Sequence, residues 1–133
     1  MKNKSQKIYN IVDNWLSTVK IGDSKDISEL YDKNAVLLGT VAENVKQGRS
    51  VIKTYFHMFK KKNPIGVIDS IIFQKLNKRY GVADGNYTFE LDDPKTGKRV
   101  KVPARFTFVV DTKKKLILTH HSSSTPENKT TLI

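Results

Sequence analysis

The sequence predicts an α+β fold, with helices segregated to one face of an antiparallel sheet, on three observations. Apolar residues recur at helical spacing through the first half of the chain, and from Gly66 onward they recur in strand-length blocks separated by turn residues. Helices followed by successive strands form the pattern of a sheet covered by helices on one side. The length of 133 residues suits one domain with its own core, and no repeat, linker or composition break divides residues 1–133.

Each element has its own signal. Ile8, Ile11, Val12, Trp15, Leu16 and Val19 fall at i, i+3, i+4, i+7, i+8 and i+11, the stripe of an amphipathic helix, which Gly22 ends. Ser24 is placed to cap a short second helix whose Ile27, Leu30 and Tyr31 share one face, with Asp26 and Glu29 near its start. Residues 35–38 read as a short buried strand. Val51, Ile52, Tyr55, Phe56 and Phe59 make a third helical stripe, opened by Gln47-Gly48-Arg49-Ser50 and stopped by Asn63-Pro64. Residues 67–79, 82–91, 99–110 and 116–124 are four strand patterns, joined by turns such as Asp92-Asp93-Pro94.

Composition excludes several classes of function. There is no cysteine, so disulfide and thiolate chemistry are absent. No apolar run approaches the roughly 20 residues needed to span a bilayer, and the first residues lack the apolar stretch of a signal peptide, so a cytoplasmic protein without membrane contact is expected. The net charge of +11 invites a nucleic-acid reading, but only Arg49, Arg79, Arg99 and Arg105 among the 24 basic residues are arginine. The lysines concentrate in Lys60-Lys61-Lys62, at a helix end, and in Lys113-Lys114-Lys115, at a hairpin turn. A solvated lysine-rich surface is the expectation, not specific nucleic-acid recognition. Neither a metal nor a cofactor is expected: His57, His120 and His121 make no convincing ligand set, and glycine-rich phosphate loops and nucleophile elbows are absent.

Two stretches stand out chemically. Arg105 is the only charge between Val102 and Val110 and needs a partner, either an internal carboxylate such as Asp84 or Glu90 or an anionic ligand. The last strand ends in His120-His121-Ser122-Ser123-Ser124, and alternation sends the two histidines to opposite faces, so only one can look into a given cavity.

These segments, "ARFTFVV" and "HHSSSTPE", together with "VADGNYTFEL" and "YDKNAVLLGT", resemble the bacterial single-domain relatives of the calcium/calmodulin-dependent protein kinase II association domain. That group lies within the SnoaL-like, nuclear transport factor 2-like superfamily, and the resemblance runs over residues 15–127. It implies a cone in which helices and a curved antiparallel sheet enclose a pocket, and self-association into a homodimer or larger ring.

The strand at 99–110 bears on that arrangement, because both of its faces are largely apolar. Val102, Ala104, Phe106, Phe108 and Val110 form one; Pro103, Thr107 and Val109 accompany Arg105 on the other. A sheet covered on both sides is expected, by helices on one and a second copy on the other. The favoured assignment points Arg105 into the cone and Phe106 and Phe108 toward the interface, although periodicity leaves the reverse open.

By resemblance and chemistry the candidate pocket lining is Trp15, Tyr31, Tyr55, Tyr87, Arg105 and His121, with Asp84 as a partner. Aromatic walls around one fixed cation suit a small polar or carboxylate-bearing molecule. For Trp15 and Tyr55 ordinary core packing is the stronger reading, since both lie on helical stripes. In the kinase association domain an arginine matching Arg105 lies in such a pocket, and a second arginine follows the histidine matching His121; here that position is Ser122. The leading expectation is an oligomerising domain with a small-molecule pocket. The alternative is a SnoaL-like isomerase, cyclase or hydrolase, in which Asp84 or His121 with Tyr87 supplies acid/base chemistry.

Overall fold

The computed structural model describes residues 3–40 and 42–127. Helix α1 spans Lys4–Ile21 and is started by Asn3, whose side chain accepts a hydrogen bond from the Gln6 amide at 2.8 Å. Its buried face is the predicted stripe, Ile8 through Val19. Helix α2 is only Ser24–Ser28, and its cap is Asp23 rather than Ser24. The Asp23 carboxylate accepts from the Asp26 amide while the Asp26 carboxylate accepts from the Asp23 amide, a reciprocal pair that the Ser24 hydroxyl cannot form from inside the helix.

Strand β1 covers Tyr31–Leu38, so Tyr31 opens a strand instead of closing a helix and the strand is longer than the expected 35–38. Next come a two-residue strand β2, Lys46–Gln47, and helix α3, Arg49–Lys60, whose buried residues are Ile52, Phe56 and Phe59. Four long strands follow: β3 at Ile65–Lys75, β4 at Tyr80–Asp92, β5 at Arg99–Asp111 and β6 at Leu116–Ser124. The predicted meander is therefore present, and sheet order β2-β1-β6-β5-β4-β3 adds β1 parallel to β6. Helices and sheet form the α+β cone. No described helix is long and apolar enough to cross a membrane.

The inner face of the sheet carries Ala83, Tyr87, Phe89 and Leu91 of β4 and Ala104, Phe106, Phe108 and Val110 of β5, all buried. Phe108 has no exposure and stacks on the His120 ring at 3.9 Å between centroids. This reverses the favoured face assignment: Phe106 and Phe108 point into the core under the helices, and Arg105 points outward. The physical reason is size. Both faces of β5 are apolar, and the helices cover the one bearing the phenyl rings, which bury the greater area.

Three register shifts interrupt the described sheet: one on β1 between Tyr31 and Val36, and two single-residue bulges on β3 and β6. On β3 the pairing steps from Ile68 opposite Tyr87 to Ser70 opposite Asn86, leaving Asp69 as the extra residue; on β6 it steps from Ile117 opposite Val110 to Thr119 opposite Val109, leaving Leu118 extra. Beside the first bulge, Gly85 lies so close to the Ser70 carbonyl that a Cβ would collide with backbone. Gly81 is also crowded, but by the free end of the Ile8 side chain. Gly85→Ala is therefore expected to destabilise the protein by about 1–3 kcal/mol, the range for overpacking. Gly81→Ala should cost less, because Ile8 can yield. Urea denaturation of the two variants beside the wild type checks the order.

Candidate functional site

A polar chain runs through the aromatic core. Trp15 Nε1–H donates to the Tyr31 hydroxyl at 2.9 Å, Tyr31 lies 2.8 Å from His120 Nδ1, and His120 Nε2 lies 3.2 Å from the Tyr87 hydroxyl. Tyr87 donates to Ser122 Oγ at 2.6 Å, and Ser122 forms a short hydrogen bond with Thr40 Oγ1. These residues come from α1, β1, β4 and β6 and from the segment after β1.

The chain fixes the histidine tautomer. An indole can only donate, so Tyr31 accepts from Trp15 and turns its own proton toward Nδ1. Nδ1 is thus the acceptor, and the neutral ring carries its proton on Nε2, where it is donated to Tyr87. Tyr87 passes its proton to Ser122. Every donor from Trp15 to Tyr87 points the same way, toward Ser122.

Burial sets the charge of this chain. Desolvation, assisted by the nearby His121, lowers the His120 pKa to about 3, so the ring is neutral at physiological pH. Desolvation raises the Tyr87 hydroxyl above its ordinary value and Tyr31 well above it. The site holds no charge and no free base, since both imidazole nitrogens are already bonded.

Space inside the cone is equally limited. Trp15, Leu37, Thr40, Tyr55, Tyr87 and Ser122 are among the residues around a cavity of about 20 Å³. That is room for one water. Its mouth is closed by Tyr55, whose ring packs against Gly39 so tightly that a Cβ there would lie 2.5 Å from it.

The seven sequence-predicted site residues divide between the two faces of the sheet. Trp15, Tyr55 and Tyr87 line the cavity, and Tyr31 lies behind His120, to which it is hydrogen-bonded. Arg105, His121 and Asp84 stand together on the outer face, in neighbouring rows: Leu38, His121, Thr107, Asp84 and Ile72 pair across five strands, and Ser123, Arg105 and Asn86 lie beside them. Thr107 donates to Asp84 in a short hydrogen bond, and Arg105 Nη2 donates to Ser123 Oγ at 3.2 Å. Arg105 is absent from the two ion pairs of the described residues, which join Arg79 to Asp111 and Arg99 to Asp92, so the expected bridge to Asp84 or Glu90 does not form within the chain. Asp84 and His121 are likewise cut off from Tyr87 by the sheet, and no acid/base pairing forms among them. The histidine that looks into the cavity is His120. Sequence reasoning missed it, together with Ser122 and Thr40.

The comparisons settle what kind of domain this is. Residues 4–126 match the calcium/calmodulin dependent protein kinase II association domain. The chain belongs to that family. A calcium/calmodulin dependent protein kinase II association domain protein from Xanthomonas campestris shares 36% identity, with a TM-score of 0.88 over 96% of this chain and 91% of that one. The epoxide hydrolase/cyclase-like enzyme SalBIII, of pyran ring formation in the polyether salinomycin, is 21% identical with a TM-score of 0.76 over 92% and 93% of the two chains. A protein with a cystatin-like fold from Caulobacter vibrioides is 12% identical, again at a TM-score of 0.76, over 92% and 90%. The last two share the fold, the SnoaL-like, nuclear transport factor 2-like cone. No curated protein matches the chain.

The neutral buried histidine carries a pH dependence of stability. In the unfolded chain His120 binds a proton below about pH 6.5, whereas in the folded protein it stays neutral down to about 3. The unfolded state therefore binds more protons between these values, and stability falls on acidification by roughly 1.4 kcal/mol per pH unit at most. The Arg79-paired Asp111, held down to about 2, loses its contribution only below the ordinary carboxylate range. Thermal melts between pH 6.5 and 4.5 should show this slope in the wild type and a flatter one in His120→Gln. Parallel slopes would remove His120 as its source.

Proposed function

We propose that the domain is a self-association module whose contact surface is the outer face of the sheet. The observation that carries this reading is an exposed apolar row with charges balanced around it. Ile72 is 69% exposed and Val67 60% exposed, with Leu38 and Ile65 exposed on the same face. Helices α1 and α3 pack on the inner face, and no described element covers the outer one.

Charge supports the same surface. The chain carries +11 overall, yet the outward positions of β3, β4 and β5 hold Asp69, Asp84, Glu90 and Asp92 against Arg99, Lys101 and Arg105. Four acids face three bases. A face without the excess positive charge of the rest of the molecule lets two copies approach without like-charge repulsion.

The carboxylate-bearing small molecule assigned to Arg105 moves with it to this face. There the guanidinium has one hydroxyl partner, Ser123, and stands in the row beside His121, so its remaining donors suit a bidentate carboxylate at the contact between copies. Membership of an association-domain family agrees with assembly, and the filled cone favours it over catalysis inside.

Sedimentation velocity at micromolar concentration should show the wild type larger than a monomer. Ile72→Glu places an unpaired charge in the proposed contact and should shift the protein toward monomer with little change in its melting temperature, because Ile72 is mostly exposed in the single chain. A monomeric wild type, or an Ile72→Glu variant that sediments as the wild type does, would overturn the assignment. Phe108→Glu is expected to unfold the chain instead.

For the ligand, Arg105→Ala should weaken binding of a benzoate probe by roughly ten- to a hundredfold, and Arg105→Lys should restore only part of it. Unchanged affinity in Arg105→Ala would remove the anion site.

A further inference from the structure

A second cavity lies along the flank of α3, between its core-facing and its exposed side. Val51, Thr54, Tyr55, Met58, Phe59 and Lys62 fall at i, i+3, i+4, i+7, i+8 and i+11, so α3 carries a second stripe beside the buried one of Ile52, Phe56 and Phe59. Ala42 and Lys46 add a further wall, and the trough encloses about 630 Å³. Small-molecule sites occupy about 300–1,000 Å³. The apolar side chains are left open: Met58 is 56% exposed and Val51 42% exposed.

Charge distinguishes this trough from an ordinary surface hollow. Among the described residues its only charged lining side chains are Lys46 and Lys62, with no aspartate or glutamate. Lys46 stands with Ser50 near the start of α3, which supplies an ammonium and a hydroxyl at one end, and the apolar side chains extend from there along the helix. An apolar floor with cations alone at its rim is complementary to a molecule with a hydrocarbon body and an anionic head.

We infer that this groove binds an anionic amphiphile, a straight-chain fatty carboxylate, with its head at Lys46 and Ser50 and its tail along Val51, Met58 and Phe59. Self-association does not enter the inference, because α3 lies on the opposite side of the sheet from the outer face. The volume suits a small molecule more than a helix or a protein loop. Tyr55 and Phe59 also border the small inner cavity, so the tail would rest against the ring that closes the cone.

Calorimetric titration of the full chain with dodecanoate, below its micelle-forming concentration, tests this. A saturable one-to-one complex is expected, with no binding of dodecyltrimethylammonium at the same concentration. Lys46→Glu should weaken it by at least about tenfold, the scale of one charge-assisted contact, and Lys62→Glu by less. Met58→Glu should abolish it while leaving the melting curve intact, since the side chain is mostly solvent-exposed. Ile72→Glu should bind dodecanoate as the wild type does.

Several results would overturn the inference. Absence of a saturable complex is one, and equal binding of the cationic amphiphile is another. Wild-type affinity in both Lys46→Glu and Met58→Glu would place the ligand elsewhere, and loss of binding in Ile72→Glu would place it on the outer face. Binding to phosphatidylglycerol vesicles but not to free dodecanoate would make the groove a membrane contact. A change of sedimentation in Met58→Glu would make it a contact between copies.

Discussion

The interior is organised around one neutral imidazole. His120 has Tyr31 at one nitrogen and Tyr87 at the other, and through them it ties α1, β1, β4 and β6 into a single run of hydrogen bonds. A buried polar group left unpaired would cost about 1–3 kcal/mol, so the arrangement tolerates no register but its own. Turning His120 to the outer face would take from Tyr31 the acceptor of its proton and from Tyr87 the donor on its other side. The aromatic rings around the imidazole, Trp15 at 4.8 Å and Phe108 at 3.9 Å between centroids, make the site dry enough to hold the ring neutral. Packing and hydrogen bonding thus specify each other.

That same packing decides where function can reside. Superfamily resemblance suggests a cone that encloses a ligand, and the fold is indeed the cone. Its interior is occupied by the protein's own rings: Trp15 stacks on Tyr87, and Tyr55 closes the mouth against Gly39. A fold shared with an epoxide hydrolase/cyclase-like enzyme at 21% identity therefore says nothing of shared chemistry. What remains available to partners is surface, the outer sheet face and the flank of α3 among it.

Helical periodicity made α1 and α3 legible, because a 3.6-residue stripe admits one buried face. The four long strands were legible from their lengths and turns. The faces of β5 were not, since Phe106 and Val109 are equally apolar and alternation cannot rank two apolar faces. His120 was concealed by the bulge at Leu118. Without it, Ile117 inward would carry Thr119 and His121 inward too; the extra residue inverts the parity, and His120 and Ser122 turn to the core beyond Ile117. Tyr31 was misplaced because its apolar match to Ile27 is the same in a helix as in the first residue of a following strand. Arg105 was read as a cation in need of a partner and assigned to the cone, whereas it stands on the outer face of the sheet.

The edges of the sheet explain why association, if it proceeds through the sheet, is directed to a face. β2 at one edge is only Lys46–Gln47, too short to template a strand. β3 at the other is an eleven-residue strand, but Asp69 is bulged out of its ladder and takes a hydrogen bond from Thr88. A charged bulge breaks the row of free amides and carbonyls that an incoming strand would need, and the local bend turns the edge away from flat pairing. Edge-to-edge growth is thereby disfavoured at both ends. The outer face has neither obstacle: its charges are balanced, and exposed apolar side chains stand along β3 at Ile65, Val67 and Ile72 and on β1 at Leu38. A two-fold face contact buries the same patch on both copies and closes on itself, whereas head-to-tail pairing of the β2 edge with the β3 edge of the next copy would extend without limit.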